Sequence, residues 1–359
     1  MKKLFLILFV IVSLKLDAQY ITNYAKNVKQ TEIDGIYYYL PRNVIRLDFV
    51  VEKNQDYKGK YSSYAKEMLN TDNYIKENKT TYKIIKVNVN TLTEADPSMV
   101  FHIATDDKAK ETPKYEICFD NDGIIKAFGQ SIMNDSDKED VVEGTSFTYN
   151  RPTDFQYYIP LEENDDEEEG KVKLTDKEIA FSILEEIKKL RVAYFDLISG
   201  YQEVDYGKTM NYMVEELKAL ENEYLSMFVG KTNTETFIKT FYVIPNEGEN
   251  SVVLGKFSNT EGFSATKTGE VVRINFTDLS KSSVINNLST DEIQNTTYTN
   301  KLFYRNPANV TMQVSCGDKV FYENRLKISQ LGNVMLLPMN KMQLVFDTNT
   351  GQVLSIIKE

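Results

Sequence analysis

Apolar and polar positions alternate along both ends of the chain. Ile45, Leu47, Phe49 and Val51 fall on one face, opposed by charged Arg46, Asp48 and Glu52. A period of two predicts a half-buried strand. Ile85, Val87 and Val89 repeat the pattern against Lys86, Asn88 and Asn90, with a short helix expected over 61–69 between these strands. Residues 115–119 and 124–128 flank Asp120-Asn121-Asp122-Gly123, a hairpin signal, because Asp-Gly supplies the positive φ angles that tight turns need. Alternation returns after residue 230. Val272, Ile274 and Phe276 alternate with Arg273 and Asn275, and 309–315 and 320–328 flank the turn Gly317-Asp318. Three further short strands are expected over 334–337, 342–346 and 352–357.

Between these regions the period changes. Thr175-Asp176-Lys177-Glu178 is a capping box. Ile179, Ile183, Ile187, Leu190 and Tyr194 then recur at helical spacing, with Gly200 as the stop. A second helix is predicted over 208–229, with Met210, Met213, Leu217, Leu220, Tyr224 and Phe228 as its apolar stripe and Gly230 at its end. The pattern predicts an α+β, predominantly β chain. Its antiparallel β-sandwich or partly closed barrel units would occupy 19–160 and 231–359. An acidic linker over 161–174 and the inserted helical pair over 175–230 would separate them.

The start of the chain reads as an address. Lys2 and Lys3 precede an apolar run over 4–14, and Ala18 offers a small residue for cleavage. This is the pattern of a secretory signal peptide over 1–18. As a helix the run would span about 16 Å, against a hydrocarbon core of ~30 Å, so cleavage is expected rather than anchoring. The first cysteine is Cys118, so no lipoprotein cysteine stands at the cut, and no later stretch predicts a transmembrane helix. The expectation is an exported protein, in the periplasm, at the cell surface or in the medium.

Charge narrows the partners. The 359 residues carry net −11, and loss of residues 1–18, with three Lys and one Asp, takes this to −13. Such a surface argues against nucleic acid, whose phosphates need basic contacts. The run Glu162-Glu163-Asn164-Asp165-Asp166-Glu167-Glu168-Glu169 reads as a solvated linker. It lacks the spaced ligands and turn glycine of a calcium loop. Two cysteines in an oxidising compartment raise a disulfide. Cys118 shares a strand face with Glu116, however, while Cys316 is in phase with Val310, Met312 and Val314, so two thiols are expected.

Two phrases occur twice in the same order. YEICFDNDGIIKA (115–127) is echoed by MQLVFDTNTGQVLSI (342–356), and GIYYYLPRNVIRLDF (35–49) by LFYRNPANVTMQV (302–314). They suggest two related β-units. The phrases GIYYYLP, LENEYLSMFVGKT, LFYRNP and QLGNVMLLP also carry a resemblance over most of the chain. It resembles an exported Bacteroidota family catalogued as domain of unknown function 4831. The resemblance implies an exported protein of single architecture and supplies no activity.

Motifs with chemical meaning are incomplete. Gly230-Lys231-Thr232 resembles the end of a phosphate loop, but Leu225 stands where that loop has glycine, and the tripeptide follows a helix C-terminus. Ser63-Tyr64-Ala65-Lys66 and Lys267-Thr268-Gly269 resemble motifs of penicillin-recognising enzymes. The third motif would be Tyr298-Thr299-Asn300, which falls in the wrong order. His102, the one histidine, has no nucleophile context beside it. Catalytic, cofactor-binding and metal residues are therefore assigned as none, and no cofactor is expected. Tyr37, Tyr38 and Tyr39 form the candidate interaction surface, provided two of them are exposed together. The preferred expectation is a non-enzymatic envelope protein that binds a protein partner or provides support. The alternatives are an Asp/Glu hydrolase acting on envelope glycans and a small- or lipidic-ligand binder.

Overall fold

Strand-forming β-branched and aromatic residues, interrupted by Gly and Pro, build most of the chain. In this computed structural model the described residues are 20–27, 35–105, 116–129, 174–199, 209–264, 268–278, 288–340 and 342–358. The segment 1–18 expected to be a leader, the acidic stretches over 131–144 and 162–169, Gly200 and Lys267 lie outside them.

In chain order the strands are β1 (Tyr20–Tyr24), β2 (Ile36–Tyr57), β3 (Lys79–Thr105), β4 (Glu116–Phe119), β5 (Ile125–Gly129), β6 (Lys231–Val243) and β7 (Ser251–Ser258). Then come β8 (Gly262–Ser264), β9 (Glu270–Asp278), β10 (Tyr298–Thr299), β11 (Lys301–Cys316), β12 (Lys319–Pro338), β13 (Met342–Phe346) and β14 (Val353–Lys358). The helices are α1 (Ala65–Leu69), α2 (Asp176–Ser199), α3 (Thr209–Val229) and α4 (Thr290–Asn295). The expected mainly β, α+β class is thus what forms. The sheets are open: β10-β1-β3-β2-β6, β12-β11-β9-β7-β8 and β14-β13-β5-β4. No barrel closes.

The chain divides into two compact units. One comprises 1–53, 81–133 and 234–359, and the other 54–80 and 134–233. β2, β3 and β6 each contribute residues to both. The first unit has two apolar clusters. In one, Ile45, Leu47, Phe49 and Val51 of β2 meet Val272, Ile274, Val310, Met312 and Val314 from the sheet of β9 and β11. This is the face that alternation assigned. In the other, Tyr38, Phe101, Phe128, Phe303 and Leu344 gather all three sheets. Phe101 stacks on Phe303 with ring centroids 4.2 Å apart.

Over residues 79–90 of β3 the buried residues are Ile84 and Val87, while Ile85 is exposed. A spacing of three breaks the strict alternation, so the expected face of Ile85, Val87 and Val89 is corrected to one that begins at Ile84. The hairpin of β4 and β5 forms as expected. Asp120 Oδ1 accepts from the N–H groups of Asp122 and Ile124, and Gly123 has φ +78°. Cys118 and Cys316 are both thiols.

In the second unit, Thr175 N–H donates to the Glu178 carboxylate at 2.7 Å and Thr175 Oγ1 accepts from Glu178 N–H, closing the expected capping box of α2. Ala180, Ile183 and Ile187 of α2 bury against Tyr61, Ala65 and Phe228. Gly230 ends α3 with φ +87°, its N–H donating to the Ser226 carbonyl at 2.8 Å.

Candidate functional site

The polar groups gather where the first unit's long strands are interrupted. β11 and β12 pair antiparallel, but the register jumps from Asn306↔Asn333 to Ala308↔Ile328. Pro307 has no N–H to give to the ladder. The stretch from Ser329 to Gly332 therefore bulges opposite it. Gly332 lies so close to the Asn306 carbonyl that any Cβ would collide with it. Pro41 on β2 and Pro97 on β3 are further residues that cannot donate.

Side chains take over the backbone bonds lost there. The Arg305 guanidinium donates to the Pro41 carbonyl and, at 2.6 Å, to Asp96 Oδ2. Asp96 Oδ1 accepts from the N–H and hydroxyl of Ser98 at 2.9 and 2.6 Å. Asn43 and Gln330 bond reciprocally: Asn43 N–H donates to Gln330 Oε1 at 2.9 Å, and Gln330 Nε2 to the Asn43 carbonyl at 2.8 Å. Asn43 Oδ1 accepts from Ser329 N–H at 2.7 Å, and its Nδ2 donates to the Asn349 carbonyl at 2.9 Å. Ser329 Oγ donates to the Thr350 carbonyl at 3.0 Å. Asn43, Asp96, Arg305, Ser329 and Thr350 are all buried.

The electrostatics fit a closed ion pair. Burial raises the Asp96 carboxyl, but the Ser98 bonds and the Arg305 charge outweigh it, and the group ends below the usual carboxylate range. Burial lowers Arg305, and Asp96 opposes that shift. A general acid of the alternative Asp/Glu hydrolase would need the opposite shift in its carboxyl. Asp48, also buried, is paired with Arg46 at 3.0 Å and accepts from Thr240 Oγ1 at 2.6 Å. The chemistry this arrangement performs is mechanical: it fixes five chain segments in register.

The residues nominated by sequence lie elsewhere. Tyr37 is exposed and packs its ring on His102 at 4.7 Å between centroids. Tyr38 is fully buried, because the inward face of β2 carries it into the aromatic cluster, where its hydroxyl accepts from Phe303 N–H at 3.0 Å. That burial corrects its inclusion in a surface patch and pushes its phenol well above the ordinary range. Tyr39 is half-buried against Gly123. His102 is buried on β3 beside Gly35. Cys316 is buried, and burial pushes its thiol up to about 11, with the Glu270 carboxylate adding to the shift.

Lys231 opens β6, and Thr232 Oγ1 donates to Asp56 at 2.6 Å, so Gly230-Lys231-Thr232 is a helix stop running into a strand. Lys66 pairs with Asp72 at 2.8 Å. Among the described residues no group of three or more His, Cys, Asp or Glu could hold a metal, and no helix is long and apolar enough to cross a membrane.

Open antiparallel sheets joined through a buried Asn–Arg–Asp centre define a mainly β protein. A family model described as "Domain of unknown function (DUF4831)" matches residues 34–354. The chain belongs to that family. No curated protein and no solved structure matches it.

Proposed function

We propose that the protein is an exported, non-enzymatic interaction module of the cell envelope. The leader pattern over 1–18 supports export. Strand β14 carries the interaction reading. It lies at the edge of the sheet β14-β13-β5-β4, and Leu354, Ile356 and Ile357 on it are each about half exposed or more. Sheet edges are ordinarily blunted by charge, proline or cover, and an apolar edge is a template for an added strand. The partner this suits is a protein segment in extended conformation, whose backbone bonds to the edge while its apolar residues meet Leu354 and Ile356.

Affinity capture from the native envelope tests this. The mature chain should retain a stoichiometric partner, and an Ile356→Lys variant with unchanged circular dichroism should lose it. A partner held equally by both would refute the edge as the site. Turnover of a defined substrate, abolished by one substitution, would refute the non-enzymatic reading. The N-terminal residue of the exported protein, expected at Gln19, checks the leader.

A further inference from the structure

Helix α2 is apolar on two sides. One side buries Ala180, Ile183 and Ile187. At 3.6 residues per turn, Phe181, Lys188, Val192 and Phe195 lie along the opposite side. Phe181, Val192 and Phe195 are each more than half exposed. Surface helices keep that side polar, and a helix apolar on both sides is one that is covered twice. In the middle of this outward stripe Glu185 and Lys188 form an ion pair at 2.7 Å.

We propose that α2 pairs antiparallel with α2 of a second copy of this chain, about a two-fold axis passing between positions 186 and 187. Charge complementarity selects this arrangement. In that register Phe181 meets Val192 of the second copy, and Glu185 meets Lys188. Each contact occurs twice, because a two-fold interface uses the same patch on both chains. The two central ion pairs become a square of alternating sign. Parallel pairing would instead set Glu185 against Glu185 and Lys188 against Lys188, which repel. The surface is distinct from β14, and the inference does not depend on the envelope partner.

Sedimentation velocity over a wide concentration range, with reciprocal charge swaps in the full mature chain, tests it. The wild type should shift from monomer to dimer as concentration rises. Lys188→Glu alone places acids against acids, Glu185→Lys alone places bases against bases, and each should weaken dimerisation by about tenfold. An equimolar mixture of the two variants should restore it, because every facing pair is again opposite in sign. Both variants lose the same pair within the helix, alone or mixed, so restoration isolates the contact between copies. A wild type that stays monomeric throughout, as it would if another segment covers the stripe, overturns the proposal. So does a dimer that neither swap weakens, or a mixture no better than its components.

Discussion

Arg305→Ala is expected to be among the most damaging single substitutions in the first unit. The guanidinium is buried and serves two acceptors, the Pro41 carbonyl and Asp96 Oδ2. Its removal leaves Asp96 charged, buried and held only by Ser98, and it takes a donor from the Pro41 carbonyl. Breaking one side of a buried ion pair costs about 3–5 kcal/mol. For domains of 150–250 residues each kcal/mol moves the melting point by about 2–4 °C, so a fall of roughly 6–20 °C is expected. Thermal unfolding followed by circular dichroism in the strand band measures it. Arg305→Lys keeps the charge but loses the fork that spans both acceptors, and it should fall between. The double variant Arg305→Met with Asp96→Leu removes both charges together and should cost less than Arg305→Ala alone. If Arg305→Ala costs no more than the roughly 0.5 kcal/mol of an ordinary surface change, or the double variant costs the sum of the singles, the pair does not lock the strands.

Three further outcomes follow from the same geometry. Asn43→Asp keeps the acceptor for Ser329 N–H but turns a carboxylate oxygen on the Asn349 carbonyl. It should lose about 2–3 kcal/mol at neutral pH and recover part of this on acidification, read as melting point against pH. Gly332→Ala must displace the Asn306 backbone, and a loss of about 2 kcal/mol or more in denaturant unfolding is expected, since overpacking against backbone has no rotamer to relieve it. Cys316, raised from 9.0 to about 11, stays protonated in the folded chain while the unfolded chain ionises. Its contribution is therefore whole below about 9 and is lost as pH rises through 11, and Cys316→Ala should flatten the stability profile over that window.

The parts legible in the sequence are those governed by one local rule. The β2 face of Ile45, Leu47, Phe49 and Val51 follows from alternation, and the start of α2 follows from its capping box. The turn at Gly123 follows from Asp-Gly chemistry. Residues whose roles depend on distant chain were not legible. Ile84 replaces Ile85 in the core because its place is set by the distant cluster of β2, β9 and β11 that it packs into. Tyr38 is buried because Phe101 and Phe303 wait on the far side, which nothing near position 38 reveals. The polar centre was missed for the same reason, since Asn43 and Ser329 are 286 positions apart. One signal was present: Arg305 is in phase with the inward Phe303, and a charged residue at an inward position beside a proline needs a buried partner.

The doubled phrases acquire a physical meaning at this centre. β2 has 22 residues and β3 has 27, against the five or six of an ordinary strand, and twist accumulates over such lengths. Both β2 and β11 serve two separate apolar clusters with a proline between them. On β2 Pro41 stands between Leu40 in one cluster and Ile45 in the other; on β11 Pro307 stands at the register shift, between Phe303 and Ala308. Pro41-Arg42-Asn43-Val44 and Pro307-Ala308-Asn309-Val310 occupy corresponding places in the two echoed phrases. Each long strand leads to another long neighbour, β3 or β12, and then to a short hairpin. The two hairpins join in one sheet in the chain order β4, β5, β13, β14. Set side by side in that order, the two hairpins put β14 at one edge of the sheet among the described strands. Leu354, Ile356 and Ile357 are exposed on that edge strand, and an apolar edge can accept an added strand, which is why the proposed interaction surface is placed there rather than at the buried polar groups.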